Sequence, residues 1–158
     1  MLENVREQID FRDLHAEYES RIANKMVFYV KADQDTDYLD LLDRQLYLLS
    51  DPLKKLLALY EPTAFFKMVI LLHLQTRKQL IYHLPLFEEI ACLSPSAELH
   101  RDQKSIKQLV LQKEKLRGKP IIQVKESEKP LIVVRLDVAE SLLRRSFSGI
   151  RLEKVLLD

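Results

Sequence analysis

The stretch TAFFKMVILLHLQTRKQLIYH, residues 63–83, decides how the chain is read. It follows Glu61-Pro62, a pair that ends a preceding helix because the proline ring disfavours helical geometry in the residue before it. Thr63 then serves as an N-cap, its hydroxyl accepting from a free backbone N–H. Phe66, Val69, Ile70, Leu74, Leu80 and Ile81 recur near helical spacing, so the stretch predicts a central core helix. Its most apolar part, Phe65 to Leu74, is interrupted by Lys67 and His73. A membrane span needs about 20 apolar residues, so a buried helix is expected and a membrane partner is not.

Working towards the N-terminus, Ser50-Asp51-Pro52 offers a capping side chain followed by a proline in the first turn. It predicts a helix running to about Tyr60. Tyr38 to Leu49 reads as another helix. MVFYV, within Lys25 to Lys31, is β-branched and aromatic and predicts a short strand. Residues 3–23 carry Val5, Ile9, Leu14, Tyr18 and Ile22 at roughly helical intervals. Towards the C-terminus, Pro85 opens a short helix over residues 86–92, and Leu93-Ser94-Pro95-Ser96 makes a turn. A longer helix ends at Arg117, because Gly118 suits a left-handed cap and Pro120 cannot continue it. Ile121 to Val124 and Leu131 to Leu136 predict two strands joined by residues 125–129. Asp137 caps a helix through Arg145, and Ile150 to Leu157 adds a final strand.

The chain has 158 residues, 47% of them hydrophobic, enough for a sizeable core. Its net charge is only +1, yet residues 1–44 hold 6 basic and 11 acidic side chains, while residues 101–119 hold 7 basic and 2 acidic. That asymmetry points to an anionic partner for the basic belt, or to a solvated face. With two glycines, Gly118 and Gly149, the chain lacks the means to build a phosphate-cradling loop. A lone Cys92 forms no internal disulfide, and the first ten residues lack the charge-then-apolar order of a signal peptide. A cytoplasmic setting is therefore expected.

The order of helix, short helix, turn, basic helix and hairpin, carried by LPLFEEIACLSPSAELHRDQKSIKQLVLQKEKLRGKPIIQV, resembles the winged helix-turn-helix superfamily over about residues 63–136. The resemblance implies an α+β, mostly α fold: a helical part over residues 1–62 with one short strand, suited to dimerisation or partner binding, and a winged-helix domain over residues 63–158. It implies that the helix before Gly118 enters the major groove of double-stranded DNA. On that helix Ile106, Leu109, Val110 and Leu116 share one face. Arg101, Lys104, Lys107, Gln108 and Lys115, with Lys119 beyond the helix, are then the nucleic-acid-binding residues. The wing tip, Lys125-Glu126-Ser127-Glu128-Lys129, balances two bases with two acids, which favours a protein partner. A weaker similarity is to the small winged-helix subunits of chromosome-condensing and plasmid-defence complexes. Two functions are thus expected: regulatory or genome-maintenance DNA binding, or an adaptor subunit, in either case as a homodimer or within a complex.

Catalytic and metal chemistry is not expected, nor is a cofactor. The acidic run over residues 33–37 fails the spacing of a calcium loop, since Tyr38 stands where glycine is needed and Arg44 where glutamate is. His15, His73, His83 and His100 are never three or four residues apart, as a helix-borne metal pair would require. His73 and Cys92 read as core residues, and no nucleophile elbow is visible. Arg144-Arg145-Ser146-Phe147-Ser148 resembles a basic-directed phosphorylation site, and equally the polar end of a helix.

Overall fold

The computed structural model describes residues 2–31 and 38–158; residues 33–37, the acidic run, lie outside that description. The chain divides into two units, Met1–Phe87 with Arg145–Ile150, and Glu88–Arg144 with Arg151–Asp158. Residue 62, the expected boundary, lies between a helix and a strand of the first unit.

The first unit is a six-stranded sheet built from β1 (Leu2–Glu3), β2 (Lys25–Val30), β3 (Leu41–Leu42), β4 (Leu48–Ser50), β5 (Phe65–His73) and β6 (Gln79–Leu86). The strand order is β1-β2-β5-β6-β4-β3, with β2 parallel to β5 and the remaining pairs antiparallel. Helix α1 (Val5–Gln8) precedes β2, and α2 (Asp51–Tyr60) follows β4. Because side chains alternate across a strand, one face collects Met26, Phe28 and Val30 from β2, Val69 and Leu71 from β5, and Tyr82, Leu84 and Leu86 from β6. These pack with Val5, Ile9, Ile22, Leu46 and Leu48 into one buried cluster. Fully burying a side chain such as Phe28 contributes roughly 1.5–3 kcal/mol.

Two polar devices close this side. Lys67 also points inward from β5, only 3% exposed, and its ammonium donates to Glu19 Oε1 at 2.5 Å and Asn24 Oδ1 at 2.8 Å. A buried cation without such partners would cost several kcal/mol. At the sheet edge, where β1 covers only the last residues of β2, Asn4 Nδ2 and Gln8 Nε2 both donate to the Val27 carbonyl, and Asn4 Oδ1 accepts from the Tyr29 amide. Side chains thus satisfy backbone groups that an open edge would offer to another strand.

The opposite edge is tied to the returning segment 145–150. Ser148 donates to Asp40 Oδ2 through its amide at 2.8 Å and its hydroxyl at 3.0 Å, while Ser50 Oγ donates to Asp40 Oδ1 at 2.7 Å. Burial pushes the Asp40 carboxyl up, but these donors outweigh it and hold the group below its ordinary value. Gly149 completes the tie at φ +79°, where a Cβ would stand 2.6 Å from the Leu41 carbonyl oxygen.

The second unit is made of smaller pieces: β7 (Glu89–Ile90), β8 (Glu98–Leu99), β9 (Ile106–Gln108), β10 (Val110–Leu111), β11 (Ile121–Val124), β12 (Ile132–Val134), α3 (Leu136–Arg144) and β13 (Leu156–Leu157). The strands form a β12-β11-β7 sheet, the β8–β9 hairpin and a parallel β10–β13 pair. Cys92, Leu111, Ile122 and Val124 form its buried centre.

Several local expectations match these elements: β2, α2 with its Ser50 cap, the β11–β12 hairpin, and α3. The expected fold class does not. The chain is mainly β, with thirteen strands among the described residues, rather than mostly α. Residues 63–83 are the β5–β6 hairpin, not a helix. Residues 3–23 are helical only at α1 and in two 3-10 turns, Phe11–Asp13 and Ala16–Arg21; residues 38–49 hold β3 and β4. Most consequentially, residues 86–117 contain no helix-turn-helix. The expected basic helix is β8, β9, β10 and the 3-10 turn Lys113–Leu116. The winged-helix resemblance, and the weaker one to subunits of chromosome-condensing complexes, are therefore corrected. The physical reason lies in β5: paired on both edges and apolar on both faces, it reads as one continuous apolar run, and its period of two is invisible in one dimension.

Candidate protein-binding face

The outer face of the six-stranded sheet carries the alternate residues of the same strands. Their registry sets them in three rows across β2, β5 and β6: Lys25–Met68–His83, Val27–Ile70–Ile81 and Tyr29–Leu72–Gln79. Strands lie about 4.8 Å apart and rise roughly 3.3 Å per residue, so the rows span about 10 Å by about 13 Å.

Helix α2 covers one end of this face. Asp51 Oδ1 lies 2.9 Å from His83 Nε2, and the Lys54 ammonium sits 5.5 Å from the centre of the Phe66 ring, which meets Phe87 edge-to-face. Past α2 the apolar side chains remain in contact with solvent. Ile81 is 51% exposed, Tyr29 38% and Met68 36%, and Leu74 beyond β5 is 54% exposed. Val27, Ile70 and Leu72 between them are half-buried. A contiguous exposed apolar strip on a rigid sheet is a recurrent mark of an interaction site.

Among the described residues, His83, His73, Cys92 and Tyr82 are engaged in local contacts. His83 is buried and bonded to Asp51, whose carboxyl is held low by Lys55 and then by His83. His73 Nδ1 meets the Thr76 hydroxyl at 2.9 Å. Burial, with Glu126 nearby, pushes the Cys92 thiol up, which disfavours the nucleophilic thiolate. Burial pushes Tyr82 up to about 12, and its hydroxyl donates to the Leu39 carbonyl at 2.7 Å. Among the described residues no cluster of His, Cys, Asp and Glu is arranged to hold a metal ion.

The six residues expected to bind nucleic acid fall on different elements. Arg101 and Lys104 occupy the β8–β9 turn, both exposed. Asp102 shapes that turn by accepting from the amides of Lys104 and Ser105 and from the Ser105 hydroxyl, which lowers its carboxyl to about 2. Lys107 and Gln108 lie on β9, with Lys107 3.5 Å from Glu98. Lys115, in the 3-10 turn, donates to the Ala91 carbonyl at 2.9 Å. Lys119 bonds both carboxylate oxygens of Glu88. The recognition helix that was to line them up is absent, and nothing in this arrangement supports the DNA-binding expectation. Sequence reasoning missed the outer strip instead. Its available signal was the pair of apolar runs 68–72 and 26–30, in which both odd and even positions are apolar.

None of the helices among the described residues is long and apolar enough to cross a membrane. A scan against protein-family models matched none, and a search of curated proteins found no similar sequence.

Proposed function

We propose that the chain is a non-catalytic protein-binding module that works as an adaptor, with the open half of the outer sheet face as its docking surface. The observation that carries this reading is the apolar strip of exposed Tyr29, Met68 and Ile81 with half-buried Val27, Ile70 and Leu72 between them, in a unit whose inner face already packs into its own buried cluster. The three strands beneath it are held by continuous registry over β2, β5 and β6. The surface is therefore preorganised, and a partner docking there meets little ordering cost. A cytoplasmic setting accords with the single buried thiol of Cys92.

Hydrogen–deuterium exchange of the chain with its captured partner tests the assignment. Added protection should concentrate in β2, β5 and β6, and Ile81→Asp should abolish capture while leaving the circular dichroism spectrum unchanged. Protection confined to the second unit, or capture unaffected by Ile81→Asp, would remove the outer face from consideration.

A further inference from the structure

We infer that the occupant of this face is an acidic amphipathic segment of another protein, one whose apolar side chains seat on the strip and whose carboxylates meet its ends. The inference rests on the protein-binding reading and adds the chemistry of the partner.

Charge complementarity carries it. At one end of the strip stands Lys25, in the same row as Met68 and exposed. At the other end the turn between β5 and β6 presents Arg77 and Lys78, both exposed, with Arg77 at φ +55° and its backbone N–H donating a hydrogen bond to the His73 carbonyl. Among the described residues no carboxylate pairs with Lys25, Arg77 or Lys78. The strands β1, β2, β5 and β6 and that turn contain a single acid, Glu3, and it is already 3.4 Å from Lys31. An apolar strip bounded by cations that no carboxylate of the described residues pairs with repels a like-charged rim and attracts an acidic one.

Size agrees with this occupant. A strip three strands wide spans about 10 Å, close to the roughly 10–12 Å diameter of one α-helix with its side chains. The same charges disfavour a second copy laid face to face, because two such strips would bring their cationic ends into one interface. Exposed single-charge contacts are each weak, so the apolar anchors supply affinity and the cations supply selection and on-rate.

The test uses a phage-displayed library of 20-residue peptides selected on the full chain and counter-selected on Ile81→Asp, with affinities of the winners read by fluorescence anisotropy. Selected peptides should carry Asp and Glu beside apolar anchors. Their affinity should fall as salt rises, and the triple variant Lys25→Glu, Arg77→Glu, Lys78→Glu should weaken them at least about tenfold, or 1.4 kcal/mol. Winners that depend on Ile81 but are neutral or basic would overturn the acidic partner while leaving the face intact. No Ile81-dependent winner at all would overturn the face itself. Two controls separate the other occupants. Sedimentation velocity showing a dimer that Ile81→Asp dissociates would assign the face to a second copy. Cosedimentation of wild type, but not Ile81→Asp, with phosphatidylserine-containing vesicles would assign it to an anionic membrane surface.

Discussion

The two faces of the six-stranded sheet are made by the same strands, one residue out of step, and they have opposite fates. The inner face sets Met26, Phe28, Val69, Leu71 and Leu84 under a cover of N-terminal chain, where Val5, Ile9 and Ile22 close the cluster. The outer face sets Val27, Tyr29, Met68, Ile70 and Ile81 almost as apolar a surface, yet α2 covers only its His83 end. Hydropathy alone does not distinguish them. The difference is made by chain connectivity: residues 5–22 precede β2 and fold over one side, while α2, only ten residues long, reaches part of the other. A sheet face left apolar after the core is complete contributes little to stability, so a partner is the simplest physical account of it.

The sharpest way to break the comparison is Phe28→Ala. It removes a ring with no exposed surface, and the loss in unfolding free energy should be about 3–5 kcal/mol by denaturant titration. A loss no larger than that of an outer-face truncation would erase the distinction. Glu19→Ala comes next. It leaves the Lys67 ammonium, 3% exposed, with Asn24 as its remaining partner, and should cost about 2–3 kcal/mol because Glu19 itself is partly reached by water. Lys67→Met should cost less, since the charge leaves with the side chain; the reverse order would mean the ammonium is not sealed on the inner side.

Acid titration examines the edge between the faces. Asp40 has a folded-state value below the ordinary carboxylate value, so its stabilising contribution is complete above about pH 4 and is lost as pH falls through the folded value. Asp40→Asn should therefore lower the thermal midpoint near neutrality, and its deficit against wild type should shrink below about pH 4. A deficit constant across that range would show that the carboxylate charge is not what ties Ser148 and Ser50. The smallest stability effect belongs to the outer face: Ile81→Asp loses the buried half of an isoleucine and sets Asp in a strand, and should lower unfolding free energy by only about 1–2 kcal/mol while removing partner capture. A loss of several kcal/mol would show that Ile81 is part of the core and that the strip is no docking surface.

Elements with a local sequence signal form where that signal places them. Ser50 capping the Leu53 amide, with Pro52 in the first turn, marks α2 from sequence because an unsatisfied N–H and a missing one are properties of a few adjacent residues. The β11–β12 hairpin is bounded by Gly118, Pro120 and Pro130 for similar reasons; α3 also forms where expected, but it starts at Leu136, so Asp137 lies inside its first turn, bonded to Arg135, rather than capping it. The misread elements share a different feature. In residues 104–117 a helical projection sorts apolar from charged residues plausibly, but Ile106 and Val110 belong to separate strands whose partners are Leu99 and Leu156. The pairing partners lie distant along the chain or are too short to announce themselves. The candidate site was hidden for the same reason, because a face exists only once three strands are set in register.

The sequence by itself determined where the chain turns, caps and stops: Pro52, Pro62, Gly118 and Pro130 act through their own backbone geometry, independent of what surrounds them. It also determined that enough apolar surface exists for a core. Tertiary structure alone decided that residues 63–83 are two strands, which side of them is buried, and which side stays open between Lys25 and Arg77. Those outcomes depend on hydrogen bonds and packing between residues far apart in sequence, such as Val27 beside Ile70 beside Ile81, and one-dimensional periodicity carries no record of such neighbours.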